Sequence, residues 1–448
     1  MSSATPPQSP DPQPSGEQTD GAQPSGEPTA DRPQARAAAL LRRPALWVLP
    51  TVLTALVTLL LSLLYMGGIV NPTDSLSRLP IALVDEDEGR PLPGQREDLG
   101  KQITDAVAAS KATEDTVDWR RLDRAGLADA LAAGKVYGAL VVPADFTASV
   151  AALTTEQADT RPTIQVLTNP GVGSLGSGMA AQINTKAARQ ASLDIGRQLT
   201  AADRAADPRT RLLLSDPVSV AQQVGHPIGD HSGLGLSAFY YALLLVLGGF
   251  IGGNLISTGV DTSLGYMDSE LGPWHTRRPT VPISRTQTLV LKMVMTAGVS
   301  VLAATLVMVA TVTILGMDAP HLPMLWLFSY CAILAVGLGV QAINAAFGGI
   351  GQLVSMFVFI ALALPSSGAT VPLQATPGFF RFLSTFEPMH QLASGVRSIL
   401  YFDARADAGL ARGWIMIAVG TAAALVFGFA MTRYYDRKGL HRLTPQPA

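Results

Sequence analysis

Cysteine is all but missing from this chain. Cys331 is the single one in 448 residues and lies inside an apolar run, so no intrachain disulfide can form and no cysteine-built metal site exists. Histidine is sparse as well. His226, His231, His275, His321, His390 and His441 are scattered, and none stands at ligand spacing from a carboxylate. His226 and His231 lie close together, but read best as interfacial residues hydrogen-bonded to their neighbours. No G-x-S-x-G elbow, H-E-x-x-H pair or G-x-x-x-x-G-K loop occurs. The expectation is a protein that is not an enzyme and carries no cofactor and no metal. A net charge of -2 gives no reason to expect a nucleic-acid partner.

Charge is also missing where it would matter most. The six long apolar runs contain no Asp, Glu or Arg, and their single Lys is Lys292. Ion-coupled transporters usually keep ionisable groups or broken helices at mid-membrane depth. If this chain takes part in active transport, the energy is expected to come from a partner.

What is present is hydrophobic length. Residues Leu46–Val70 carry no charge, and nothing comparable recurs until Gly233, after which apolar runs fill most of the chain. About 20 apolar residues cross a ~30 Å hydrocarbon core. The later runs are Leu234–Thr258, Leu289–Gly316, Met324–Ile343, Phe347–Leu364 and Trp414–Met431. The third and fourth of these are joined by an AAFGG turn and are together long enough for two crossings. The expected fold is a polytopic α-helical membrane protein of six transmembrane helices, one plus five, with an α/β domain (71–232) inserted between helices 1 and 2.

Arg36, Arg42 and Arg43 precede the first span, and the positive-inside rule puts that end in the cytoplasm. The loop 259–287, with Arg277, Arg278 and Arg285, and the tail 433–448, with Arg433, Arg437, Lys438 and Arg442, fall on the same side. The loop MDAPHLP has no Lys or Arg and falls on the other. Both termini are thus expected in the cytoplasm, the insert outside, and the chain in the plasma membrane. Residues 1–44 begin with a Pro-, Gly-, Ser- and Gln-rich stretch that repeats QPSGE, a composition expected to be disordered. A tail of that length before a long apolar run reads as preceding a retained anchor at 45–70, and not as a cleaved signal.

The insert alternates strand-like and helix-like stretches, which suggests a small α/β module. LPIALV (Leu79–Val84), KVYGALVVP (Lys135–Pro143) and PTIQVLTN (Pro162–Asn169) read as strands. LADALAAG, stopped by Gly134, and Gly178–Leu199 read as helices. Gly171, Gly173 and Gly176 match the G-x-G-x-x-G pattern, with Asp194 about 20 residues on. A turn of small residues between strand and helix explains them better than a dinucleotide site. The run Asp85-Glu86-Asp87-Glu88 is a solvated strand end, since consecutive side chains on an extended segment alternate in direction.

Two segments outside the spans fit a moving membrane machine. The loop Gly265–Gly272, continuing to Pro282–Arg285, is polar and capable of a helix, as a docking element would be; Glu270, Gly272, Arg277, Arg278 and Arg285 are its candidate residues. The outer segment 365–412 is amphipathic in two pieces. Phe379, Phe380, Phe382, Leu383 and Phe386 cluster first; Met389, Leu392, Val396, Ile399 and Leu400 then recur at helical spacing. Phe379, Phe380, Phe386, Pro388 and Arg397 mark it as a candidate re-entrant element.

Four phrases carry a family resemblance: LPIALVDEDEG, GKVYGALVVPADFTASV, SGLGLSAFYYALLLVLGGFIGG and PSSGATVPLQATPGFFRFLSTFEPMHQLASGVRSILYF. With the layout, they resemble the YhgE/Pip (phage-infection protein) group within the type-2 ABC exporter permeases, and the fungal nitrosoguanidine-resistance proteins look similar. Ser269–Gly272 and Val281–Ser284 loosely echo the first cytoplasmic loop of such permeases. The resemblance implies a homodimeric permease working with a separate nucleotide-binding ABC subunit, exporting a lipid-like, drug-like or polymeric substrate. The alternative is a non-transporting surface receptor or secretion-system scaffold that acts through its outer domain.

Overall fold

The computed structural model describes residues 44–69, 71–91, 97–153, 161–202, 208–440 and 442. The stretch expected to be disordered lies outside these, apart from Pro44. The chain forms two units, Met1–Leu59 and Leu60–Ala448. The described part of the first is the opening of helix α1 (Pro44–Ile69), on which Val52, Leu53, Leu56 and Leu59 are exposed.

The second unit opens, after the end of α1, with an α/β region. Its elements are β1 (Leu79–Asp85), α2 (Leu99–Ala108), β2 (Val117–Arg121), α3 (Arg124–Ala132), β3 (Gly138–Val142), α4 (Phe146–Ala152), β4 (Thr163–Thr168), α5 (Ser174–Ala202), α6 (Pro208–Ser215) and β5 (Ser219–Val224). The strands order as β2-β1-β3-β4-β5. β1 runs parallel to β2 (Leu79 opposite Val117) and to β3 (Ala82 opposite Ala139). β4 is antiparallel to β3 and parallel to β5.

Parallel neighbours need crossover connections, and α2 and α3 supply them around β1. Asp98 and Asp123 cap these helices, accepting from the N–H of Lys101 and Gly126. β1 and β3 are buried on both faces, which explains their unbroken apolar runs. Leu83, Leu140 and Val142 pack with Leu99 and Ile103 of α2 and Ile195 of α5. Ala82, Val84, Ala139 and Val141 pack on the opposite face with Leu127 and Leu131 of α3. The strands and helices expected from the sequence are present. α2, β2, α6 and β5 go beyond that expectation; the short VDWRR run of β2 is too charged to stand out.

The remainder is helical: α7 (Ser237–Ser263), α8 (Arg285–Met308), α9 (Leu322–Phe347), α10 (Gly351–Met356), α11 (Ala363–Ser366), α12 (Gly378–Ser384), α13 (Pro388–Tyr401) and α14 (Leu410–Arg437). Among the described residues, five helical segments are long and apolar enough to cross a membrane: Thr51–Ile69, Ser237–Ser263, Arg285–Ile314, Leu322–Ser366 and Leu410–Arg437.

The fourth of these, 45 residues long, is not one rod. Gly348 takes φ +61°, Gly348–Ile350 form a tight 3-10 turn, and the chain reverses. On the returning limb the Phe359 ring lies against Gly339 of α9. The break falls in the AAFGG phrase, where the sequence suggested a turn.

α9 is the central helix, packed against α7, α8 and α14. Close approach to α7 depends on small residues, since a Cβ on Gly249 would lie 2.7 Å from the Ile333 carbonyl oxygen and one on Gly253 3.0 Å from Val340. Buried amides bridge the same helices: Gln341 Nε2 donates to the Gly253 carbonyl at 2.9 Å and Asn344 Nδ2 to Asn254 Oδ1 at 3.0 Å.

The loop after α7 differs from expectation. The sequence suggested a helix, but the chain forms a small antiparallel hairpin of β6 (Ser269–Leu271) and β7 (Trp274–Thr276). Gly272 at φ +60° makes the turn, a conformation that a helix cannot include and glycine adopts freely.

Candidate functional site at the junction of the sheet and α13

Three polar contacts and one aromatic plug tie the sheet to the segment between Ser366 and Leu410. Ser77 N–H donates to the Gln374 carbonyl at 2.8 Å, and the buried Tyr137 hydroxyl donates to Gln374 Oε1 at 3.2 Å. Burial pushes the Tyr137 phenol up to about 12, so it stays a neutral donor. His226 Nε2 meets the Tyr401 carbonyl at 2.8 Å, which makes that nitrogen the protonated one, and its ring stacks on Phe402. Phe402 in turn fills the space above Gly134 and Gly171, where a Cβ would come within 3.0 Å of its ring. His226 therefore has hydrogen-bonding neighbours, as the sequence suggested. His231 has one through its backbone N–H, which donates to Asp318 Oδ2 at 3.0 Å.

A charged latch lies outside this plug. Arg405 Nη2 reaches Asp129 at 2.7 Å, and Lys135 Nζ reaches Asp407 at 2.9 Å. Hydrogen bonds from Lys135 and Arg405 hold Asp407 down at about 2. These groups are solvent-exposed, so their pairing is screened by salt.

Along α13 and its cap lie the buried Glu387 and Arg397 and the half-buried His390. Glu387 caps the helix, with Oε2 accepting the His390 N–H at 3.2 Å. Burial raises its carboxyl to about 8. His390 Nδ1 lies 2.7 Å from the Ser367 carbonyl, and burial lowers its pKa. Arg397 Nη2 donates to the Ala369 carbonyl at 3.1 Å, while its Nε finds no acceptor.

The expected re-entrant residues divide accordingly. Phe379 and Phe386 are exposed, Phe380 is buried, Pro388 opens α13, and Arg397 is buried at the junction. Apolar spacing pointed to α13 but could not show that Glu387 and Arg397 turn inward.

A second polar cluster sits near the other end of α14. Lys292 Nζ lies 2.9 Å from Asp261 and 2.9 Å from Ser257 Oγ, and Arg442 Nη1 approaches Asp261 at 2.5 Å. The sequence had marked Lys292 as the lone charge of its run. Its partner Asp261 lies just past Thr258, where α7 runs on to Ser263. Close by, Asp436 of α14 accepts from the backbone N–H groups of Arg285 and Thr286, both at 3.0 Å, and so binds the start of α8.

The expected docking residues do not form one set. Glu270, Gly272, Arg277 and Arg278 are exposed on or beside the hairpin, and Arg277 pairs with Asp268 at 3.6 Å. Arg285 is instead turned to α14 and beyond, its Nε donating to the Leu440 carbonyl at 2.7 Å and its guanidinium lying over the Tyr435 ring.

Two sequence motifs also find their place. Asp87, in the acidic run, accepts from the N–H of Gly89 at 3.1 Å, of Gly100 at 3.0 Å and of Thr147 at 3.1 Å, and from the Thr147 hydroxyl. It ties the exit of β1 to the first turns of α2 and α4, and so is more than the solvated strand end the sequence suggests. In the glycine motif, Gly171 faces Phe402 and Gly176 faces the Tyr137 ring. Aromatic side chains occupy the room those glycines leave, and the motif is a strand-to-helix turn.

Comparison with solved structures finds similarity to a crystallised domain assigned to an ABC type-2 transporter from Thermotoga maritima MSB8. It covers 36% of this chain and 98% of that one, at 16% identity and a TM-score of 0.23. No curated protein matches. The model of one family matches residues 50–420, most of the chain, and the protein therefore belongs to the family described as protein of unknown function (DUF3533).

Proposed function

We propose that this protein is the membrane subunit of an ABC-type exporter of the YhgE/Pip kind. In this reading it crosses the plasma membrane six times, with both termini cytoplasmic and the α/β region outside. It works as a homodimer with a separate ATPase and moves a lipid-like, drug-like or polymeric substrate. No side chain performs covalent chemistry.

The observation that carries the reading is the course of α14. Near its start, Asp407 and Arg405 latch the α/β region, and Trp414 packs edge-on against Phe328 of α9. Near its end, Asp436 holds the first turn of α8, next to the hairpin loop. One helix thus links the sheet junction to the loop where an ATPase would dock, as a transmission element requires. The reversal at Gly348–Ile350 supports six crossings, because it turns the long fourth segment into two limbs. An open apolar groove of about 530 Å³ between α7 and α8, lined by Gly252, Leu255, Leu291, Met295 and Val299, offers a lipid-facing surface that changes if these helices slide.

Affinity capture from native membranes tests this against the scaffold reading. The full chain and a variant lacking 71–232 are compared. A permease retains a nucleotide-binding subunit in both forms. A chain that captures no ATPase, and loses every partner with the α/β region, is a scaffold.

A further inference from the structure

Two positive ends meet at the junction, and among the described residues no carboxylate pairs with either. α5 begins at Ser174, directly after Gly173, whose φ of +138° suits glycine alone. The amides of Ser174, Leu175 and Gly176 belong to the turn that a helix leaves without i−4 carbonyls, and the dipole concentrates positive charge there. From α13, Arg397 Nη2 comes within 3.5 Å of the position a Gly173 Cβ would take. Arg397 is 7% exposed, has an unpartnered Nε, and takes part in no ion pair among the described residues. The nearest acid on its own helix, Glu387, is spent on capping α13.

A buried guanidinium without a counter-charge is costly, and the positive end of a long helix beside it adds to the cost. The place is also reachable: Leu175 and Thr370 are exposed and Ser174 is half-buried. A Cβ built on Gly173 would meet Arg397 Nη2 at 3.5 Å and the Ala369 carbonyl oxygen at 3.7 Å, so the glycine lets the guanidinium lie directly against the helix start.

We propose that the first turn of α5 and Arg397 form an oxyanion site for a phosphate-type group. Free amides at a helix start and a planar guanidinium fork are the donors that recognise such a group. The same chemistry is offered by inorganic phosphate and by the headgroup phosphate of an anionic lipid.

The test uses the full chain and its thermal unfolding. In neutral detergent, inorganic phosphate is titrated against chloride at matched ionic strength. In parallel, phosphatidylglycerol nanodiscs are compared with phosphatidylcholine nanodiscs. A saturable rise in unfolding temperature is expected with phosphate, with phosphatidylglycerol, or with both, and the responding arm identifies the source. Arg397→Gln should weaken the response roughly tenfold or more. Ser174→Asp, a favourable residue at a helix start, places a carboxylate at the site and should abolish the response while leaving the fold intact. The proposal is overturned if neither arm responds, or if Ser174→Asp responds as the unmodified chain does.

Discussion

Phe359 rests on Gly339, although the two stand on opposite limbs of a continuous apolar stretch. In a straight helix they would be ~30 Å apart at 1.5 Å per residue. Their contact is what makes the Leu322–Ser366 segment a hairpin. A Cβ on Gly339 would fall 2.6 Å from the ring, so Gly339→Leu should force the limbs apart. A loss of about 1–3 kcal/mol is expected for such overpacking, read from unfolding in detergent.

The proposed six crossings put the two ends of this hairpin's first limb on opposite sides of the membrane. In a Cys331→Ser background, Gly349→Cys and Ala319→Cys should react with an impermeant thiol reagent from opposite faces of the membrane. Labelling of both from one face would mean that the segment dips in without crossing.

Glu387 gives the junction a pH dependence with a definite sign. Its carboxyl titrates at about 8 in the folded chain against 4.5 ordinarily, so the folded state holds the proton more tightly. Its contribution is complete below about 4.5 and is lost as pH rises through about 8. His390, lowered by burial, works in the opposite sense and loses stability as pH falls below 6.5. Glu387→Gln keeps an oxygen to cap α13 and should flatten the fall in unfolding temperature between about pH 5 and 8. An unchanged slope in that variant would assign the effect elsewhere.

Asp261 serves two cations, which sets an order among substitutions. Removing Lys292 leaves the Asp261–Arg442 pair, whereas Asp261→Leu strands both cations. Asp261→Leu should cost about 3–5 kcal/mol, with Lys292→Met and Arg442→Ala each costing less. Comparing the three by denaturation in one detergent checks the order.

The outer latch should be weak and exchangeable. Arg405→Asp is expected to speed amide exchange around the α3–β3 turn, and adding Asp129→Arg should restore protection. High salt should erase the difference, because the groups are exposed.

Much of the fold was legible because periodicity reports burial. β1 and β3 stood out as unbroken apolar runs because both faces are covered, and α13 by its helical spacing. β2 was hidden because an edge strand with Arg120 and Arg121 facing solvent has no apolar pattern. The hairpin around Gly272 was read as helix-capable because so short a ladder leaves almost no periodic trace. The polar clusters were the least legible. Lys292 and Asp261 meet across two helices, and Arg397 meets the start of α5 across about half of the chain, so neither pairing leaves a spacing to read. His321 likewise finds Asp403 at 2.7 Å, a partner no local motif could indicate.

Native mass spectrometry of the full chain, extracted from its own membranes into nanodiscs, tests the transport reading most directly. Two copies of this chain with a bound nucleotide-binding subunit, released by Glu270→Ala and Arg277→Ala in the hairpin loop, are the expected result. A single copy with no ATPase at any extraction condition contradicts it.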